Sequence, residues 1–425
     1  MGGRGGPRAR PGAAHPPVLA RRARAPGGGL DARPGAGRAE LAARWAQPGG
    51  EPVKRVRLLY LITELRAAGA ERILYQLATG LPSERYEVRV VSLESPHGDG
   101  EVAAWLQRAG IGVTLLRMTK ADPRGALRLA FVLRSFRPHL IHAHLFHGNL
   151  AGRLLGWLSP RASLISTHHV VERRPLQLRR AIDRASAWRD DVTVCVSEAV
   201  ASYARTQLGV RPGRVRVIPN GIDLRRFAPP ADPAAARRAA RERLGLPQAA
   251  TLLGAVGRLD EQKACLDLLA AFDRLAPLHP DLVLVFAGRG PLEAELRQRA
   301  AAHGERVRLL GFQEDVPAVL DALDVFALPS LWEGFGLSVA EALARGKPVV
   351  VSAVDSLPEV VGQAGLLVPP ARPARLAEAV DELLRSPAAR AELAARAPAQ
   401  AARFSLEGMR AAYLELYEEL LTRRR

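Results

Sequence analysis

Two glutamates on either side of a glycine turn are the residues in this 425-residue chain whose spacing most clearly suggests chemistry. They are Glu333 and Glu341, in the stretch Pro329–Ala344, PSLWEGFGLSVAEALA. The apolar run Val325–Leu328 reads as a strand, Gly334 and Gly336 form the turn after it, and a helix is predicted from Leu337 or Ser338. Glycines let the backbone approach a ligand closely. The first N–H groups of a helix have no intrahelical partner and carry the positive end of its dipole, which suits a phosphate. Glu341, on the helix, can accept two hydrogen bonds from a ribose diol, and Glu333, in the loop, can reach an attached sugar. A generic strand–turn–helix with two solvated glutamates is the bland alternative.

A second cluster, Gly257–Lys263, reads GRLDEQK and directly follows the strand-like run Leu252–Val256. Arg258 and Lys263 supply two cations, which a diphosphate needs as negative charge builds on it during departure. A third, Ala67–Arg72, reads AAGAER, with Gly69 at a strand-to-helix turn where backbone N–H groups could face a phosphate or an acceptor. It does not make a G-x-G-x-x-G fingerprint. Ala287–Glu295, AGRGPLEAE, is either a tight turn or a loop against a nucleobase. The histidines His139, His142, His144 and His147 surround the predicted strand Leu140–Ala143, and His144 should project from its carboxyl end. Their spacing does not fit H-E-x-x-H and no acidic or cysteine cluster accompanies them, so no zinc site is expected. With His168 and His169 they read, on residues alone, as packing or surface groups. No D-x-D triplet occurs, which favours cationic side chains over a divalent metal bridge.

The elements that must position these groups alternate regularly. Strand-like runs at Val56–Thr63, Val88–Leu93, Gly112–Leu116, Leu140–Ala143, Ser163–Thr167, Val192–Val196 and Arg214–Ile218 are separated mostly by helical stretches. A second series comprises Leu252–Val256, Leu282–Ala287, Val307–Leu310, Val325–Leu328, Pro348–Val351 and Leu366–Val368. Repeated strand–helix units imply α/β architecture: two doubly wound, Rossmann-like domains with a cleft between them. The expected division is a tail at 1–52, a first domain at 53–227, a second at 228–404, and a final helix from 405 that returns to the first domain. IPNGID, Ile218–Asp223, carries the turn pair Asn220–Gly221 and should set the entry to the hinge.

Composition bounds the setting. No apolar stretch approaches the ~20 residues that span a bilayer. Cys195 and Cys265 show no metal spacing and suit buried thiols in a reducing cytoplasm. The formal net charge is +18, and residues 1–50 carry nine arginines against Asp31 and Glu40, in a Gly/Pro-rich composition expected to be disordered. A basic surface suits nucleotide sugars, acidic lipid headgroups or nucleic acid, or is merely the solvated surface of an arginine-favouring proteome. The segment Glu172–Arg189 sets six arginines beside Leu176, Leu178, Ile182 and Trp188, and suggests contact with an anionic membrane.

Taken together, GAER, HAHLFHGN, VSEA, IPNGID, GRLDEQK, PSLWEGFGL and LPEVVGQAGLLVPP resemble, in order, the motifs of the family 4 retaining glycosyltransferases with the GT-B fold, over about Arg55 to Thr422. The resemblance implies that Arg258 and Lys263 bind the diphosphate of a UDP- or GDP-sugar and that Glu341 binds its ribose. It implies that Glu333, with the backbone of Gly334, Phe335, Gly336 and Leu337, holds sugar and phosphate. His144 would sit beside the reacting sugar as a positioning group, and Gly69 would line the acceptor side. It further implies a glycan, lipid-linked or small-molecule acceptor in cell-envelope or exopolysaccharide synthesis, no cofactor or metal, no nucleic-acid partner, and a cytoplasmic location, peripheral on the inner face of the membrane. Departures are Ala264, where the family usually has glycine, and Ala68–Gly69 for the usual glycine pair. The rival readings are a nucleotide-sugar epimerase of the same fold and a catalytically silent protein that binds membrane or nucleic acid.

Overall fold

The computed structural model describes residues 55–94, 100–118, 124–171 and 177–423. The arginine-rich segment 1–52 lies outside them, as do residues 172–176 of the basic segment that ends at Arg189.

Seven strands form the first sheet: β1 Val56–Ile62, β2 Tyr86–Ser92, β3 Gly112–Leu115, β4 Leu140–His144, β5 Ser163–His168, β6 Val192–Cys195 and β7 Val215–Val217, in the order β3-β2-β1-β4-β5-β6-β7. Six form the second: β8 Thr251–Val256, β9 Leu282–Ala287, β10 Val307–Leu309, β11 Val325–Leu328, β12 Val349–Ser352 and β13 Gly365–Val368, in the order β10-β9-β8-β11-β12-β13. Every strand pair is parallel. Parallel strands are covered on both faces, which explains why they read as continuous apolar runs. In β1, Leu59 and Leu61 join Leu129, Leu133 and Leu164 in one core, whereas Leu58, Tyr60 and Ile62 join Ile73, Leu74 and Leu77 in the core on the other face. Strand order reverses between β1 and β4 in the first sheet and between β8 and β11 in the second. Ligands of such sheets bind beyond the carboxyl ends of strands at these reversals.

The helix Leu406–Thr422, N-capped by Ser405, belongs spatially to the first domain. Its Met409, Tyr413, Leu416, Tyr417 and Leu420 share the core of Tyr60 and Ile73. The Tyr417 hydroxyl lies 3.0 Å from that of Tyr60 and 2.7 Å from His142 Nδ1, while Glu418 accepts from Arg85 at 2.9 Å and from the Tyr86 hydroxyl at 2.7 Å. The region 228–250, where the domains meet in sequence, contains the helix Pro233–Arg243. Its fully buried Arg241 donates to Ala322 O at 3.0 Å and Ala250 O at 2.7 Å, tying this helix to the second sheet's layer.

The two chain crossings between domains run side by side. Ile222 N–H donates to Phe404 O at 2.9 Å and Leu406 N–H to Ile222 O at 2.8 Å. Gly221 is not in a left-handed conformation, so the turn-pair reading misses its reason. Proximity is what demands glycine: a Cβ there would lie 2.6 Å from Leu406 Cα and 2.7 Å from Ser405 O. Gly221→Ala is expected to lower stability by about 2 kcal/mol, the cost of forcing a methyl between two backbones. A urea midpoint equal to that of the parent chain would show that the crossing has slack.

Candidate active site

On the first-domain side, Gly69 opens the helix Gly69–Gly80 just after β1, and a Cβ on it would lie 3.6 Å from Leu337 Cδ1 of the second domain. His144 closes β4 and is fully buried. Its Nδ1 lies 2.9 Å from His169 Nε2, and its ring lies tilted 4.2 Å from that of His142, while Nε2 has no protein partner. Burial, reinforced by the neighbouring His142 and His169, holds its pKa well below the usual 6.5. His144 is therefore a neutral imidazole, able to offer or accept a hydrogen bond but carrying no charge. The other histidines divide. His142 is locked inside the sheet between Tyr417 and Thr167, and His147 is exposed. His168 and His169 are buried at the end of β5.

On the second-domain side, the loops after β8 and β11 interlock. Leu331 N–H donates to Gln262 O at 2.8 Å and Gln262 Nε2 to Trp332 O at 3.2 Å. Lys263 Nζ forms an ion pair with Glu333 Oε2, and the Ser330 hydroxyl donates to the same oxygen at 3.3 Å. Arg258 Nε donates to Asp260 Oδ2 at 2.5 Å, and Lys263 N–H donates to the other Asp260 oxygen at 3.1 Å. One aspartate thus orients the whole cationic loop. Asp355 accepts from Glu333 N–H at 2.9 Å. Gly336, at φ 92°, caps the helix Leu337–Ala344, so the first N–H groups of that helix open beside the Lys263–Glu333 pair. The Phe335 ring is buried edge-on against Phe404, 5.2 Å away, which leaves its backbone for the loop. Ala264 sits at φ 49°, a left-handed position that costs an alanine about 1 kcal/mol.

The two sides meet. A Cβ on Gly334 would lie 1.6 Å from His169 O, so only glycine fits against the first domain there. Glu359 accepts from Glu198 N–H at 3.2 Å, bringing the helix Leu357–Val361 onto the start of the helix Glu198–Thr206. Burial raises the half-buried Glu341 carboxyl from 4.5 to about 7, against the pull of Arg72 and Arg226. Arg72 is the last residue of AAGAER, so a first-domain cation faces the second-domain glutamate. Glu71, buried beside it, is also raised to about 7 by burial, with Arg258 among the cations that pull it down. The structure therefore brings Gly69, His144, Arg258, Lys263, Glu333, Gly334, Gly336, Leu337 and Glu341 to the facing strand ends of the two sheets. Asp260, Asp355, His169 and Arg72 join them. Of these four, Asp260 and Arg72 stood inside motifs recognised for other residues, and His169 stood among the histidines.

No helix among the described residues is long and apolar enough to cross a membrane. Residues 67–226 match Glycosyltransferase Family 4, and residues 236–400 match Glycosyl transferases group 1. The chain is 32% identical over 332 residues to D-inositol 3-phosphate glycosyltransferase of Salinispora tropica, covering 71% of this chain and 68% of that protein. It is 29% identical over 321 residues to UDP-Gal:alpha-D-GlcNAc-diphosphoundecaprenol alpha-1,3-galactosyltransferase of Escherichia coli, covering 71% of this chain and 79% of that one. The crystal structure of Anabaena HepE in complex with UDP matches with a TM-score of 0.74 at 23% identity, over 86% of this chain and 100% of the other, a likeness of fold. A cationic loop locked to a glutamate-bracketed glycine turn, on one side of the cleft between two parallel sheets, agrees with both family matches: the chain belongs to the group 1 glycosyltransferases, with a family 4 first domain and the GT-B fold.

Proposed function

We propose that this glycosyltransferase is a retaining, metal-independent enzyme that moves a hexose from a UDP- or GDP-sugar onto a lipid-linked acceptor in envelope polysaccharide synthesis, on the cytoplasmic side of the membrane. The observation that carries the reading is the Lys263–Glu333 pair, set beside the N-terminus of a helix whose Leu337 lies against Gly69 of the first domain. Arg258, Lys263 and the N–H groups that open the helix at Leu337 take the diphosphate. As the bond from the sugar's anomeric carbon to the phosphate oxygen breaks, negative charge grows on that oxygen, and Lys263 stabilises it. The acceptor hydroxyl attacks from the same face, and its proton passes to the departing phosphate oxygen. His144, neutral and with Nε2 unpartnered, orients the sugar. The printed name of the E. coli relative, a transferase acting on a diphosphoundecaprenol-linked sugar, supports the acceptor class.

The test is transfer from a panel of UDP- and GDP-hexoses to a short-chain lipid diphosphate sugar, with the product anomer read by NMR. An α-linked product from an α-linked donor supports the proposal. An epimerised donor formed without acceptor would favour the epimerase reading and overturn this one.

Glu341 adds a pH signature. Its folded pKa lies above the ordinary value, so between 4.5 and about 7 the folded chain holds a proton that the unfolded chain has lost. The stability linked to this group is present at low pH and is lost as pH rises through about 7. Donor affinity should move the other way, because a carboxylate accepts two hydroxyl hydrogen bonds and a protonated carboxyl does so poorly. Calorimetry between about pH 6 and pH 8 should show donor binding strengthening with pH, and Glu341→Gln should flatten that slope. An unchanged slope in the variant would assign it to another group.

A further inference from the structure

A pocket of about 260 Å³ opens at the amino ends of β4, β5, β6 and β7, at the end of the first sheet opposite the cleft. The six residues of β5 separate the two ends by about 20 Å. The pocket floor is apolar, formed by Ile141 and Leu164 of the core beneath. Trp157 and Trp188 line it with 59% and 68% of their surfaces exposed. The other described tryptophans, Trp105 and Trp332, are half-buried, so the exposed indoles among the described residues converge on this one pocket.

The rim is polar and firmly placed. Arg214 Nη1 donates to Trp188 O at 2.6 Å and to Asp190 O at 2.9 Å, which pins the segment that carries Trp188. That leaves the Nε–H and Nη2–H groups of the same guanidinium as donors. Asp191 Oδ2 accepts from Leu164 N–H at 2.8 Å, which fixes the carboxylate at the pocket edge, and a carboxylate accepts several hydrogen bonds at once. The Arg189 guanidinium lies over the Trp188 ring, 5.4 Å from its centroid, and backs one face of the indole.

We propose that this pocket binds a neutral saccharide, one sugar unit of a glycan, at a site separate from the cleft. A pyranose ring carries C–H groups on a flat apolar face and hydroxyls around its edge. Indoles offer the C–H face a flat apolar partner whose π face is negative. The hydroxyls meet a carboxylate that accepts and a guanidinium that donates. With Arg189 turned onto Trp188, the charges of Asp191 and Arg214 balance, which matches an uncharged ligand better than an acidic one. The volume falls below the roughly 300–1,000 Å³ of sites that enclose larger ligands, which suits one ring rather than a nucleotide. A bilayer surface or an apolar peptide side chain would cover Asp191 without giving it a donor. A nucleic acid would set its phosphates against the same carboxylate. The pocket rests on the glycosyltransferase reading only for its purpose: a glycan held by one unit here stays at raised local concentration beside the enzyme that extends it.

The full chain, carrying fluorotryptophan, is titrated with neutral trisaccharides of glucose, galactose, mannose or N-acetylglucosamine and followed by fluorine NMR. The resonances of Trp157 and Trp188, assigned by Trp157→Phe and Trp188→Phe, should shift with at least one of them at a Kd on the order of 1 mM. The resonance of Trp332, in the loop after β11 beside the cleft, should stay in place. Read by saturation transfer on the saccharide, the combined Trp157→Ala and Trp188→Ala variant should lose about ten-fold or more of the binding. Asp191→Asn keeps an oxygen for Leu164 N–H and should weaken binding about three-fold. Melting temperature and nucleoside diphosphate binding of these variants should match the parent and confirm folding. Absence of shifts at Trp157 and Trp188 with all four saccharides, shifts at Trp332 alone, or parental binding by the combined variant would each overturn the proposal. Shifts of the two tryptophans with phosphatidylglycerol-containing vesicles but with no saccharide would assign the pocket to a lipid surface and overturn it as well. Saccharide binding by a chain that transfers no sugar would leave the pocket intact and remove the proposed reaction, whereas transfer without binding here would remove the pocket alone.

Discussion

Gly334→Ala is expected to lower kcat/KM by about 100-fold or more while changing donor affinity by less than about ten-fold. The added Cβ would lie 1.6 Å from His169 O and 3.2 Å from Val170 Cα, and neither is the movable end of a flexible side chain. The contact can be relieved only by moving the loop away from the first domain, and a shift of about 1 Å between reacting groups already costs about 100-fold. Donor binding should survive because Arg258, Lys263, Glu333 and Glu341 all belong to the second domain's side of the cleft. Stability should change little, since opening the cleft relieves the clash. Calorimetric titration with a nucleoside diphosphate, beside steady-state transfer, separates the two effects. A variant that keeps parental turnover would show that the closed contact between Gly334 and His169 is not the one in which transfer occurs.

Lys263→Ala is expected to reduce kcat by about 100- to 1000-fold, the usual loss when one stabiliser of developing anionic charge is removed. Its ammonium is mostly enclosed, with 20% of the side chain exposed, and its partner Glu333 is more deeply buried. Removing it leaves a buried carboxylate without its cation and, on the proposed reading, takes a positive charge from the leaving phosphate. Lys263→Arg should rescue poorly, because a planar fork does not fit a site shaped around a compact ammonium. Arg258→Ala should cost less, about ten-fold, because its side chain is 62% exposed and water screens it. Equal losses for the two substitutions would mean that the diphosphate sits nearer Arg258 than proposed.

Where sequence pattern carried the architecture, it did so through local rules. Continuous apolar runs such as LVLVFA in β9 are what parallel strands buried on both faces require, and the glycine turns at Gly69 and Gly336 mark where those strands pass into helices. The second-domain site was legible for the same reason: its cations and glutamates stand within a few residues of strand ends. What stayed hidden depends on approach between segments far apart in the chain. Nothing in the spacing of His168 and His169 announces that the His169 carbonyl closes against Gly334, 165 residues later. Asp355 gains its role only when the loop after β12 meets the loop after β11. The burial of His144 is equally non-local, since it needs His169, just after β5, stacked beside it. Gly221 stands in a turn pair, but what requires glycine there is the backbone of Leu406 pressed against it.

The return of the last helix has a consequence for how the molecule is made. Tyr60, Ile73 and Leu77 leave the ribosome long before the residues that cover them, Met409 to Leu420. The second sheet is synthesised whole in between. A chain stopped anywhere before Leu406 therefore carries an uncovered apolar face on its first sheet, and its His142 lacks the Tyr417 hydroxyl. That histidine lies one ring away from His144. The cleft is thus finished only after the second sheet has been made, and a translation product interrupted before Leu406 lacks the helix that closes the first domain.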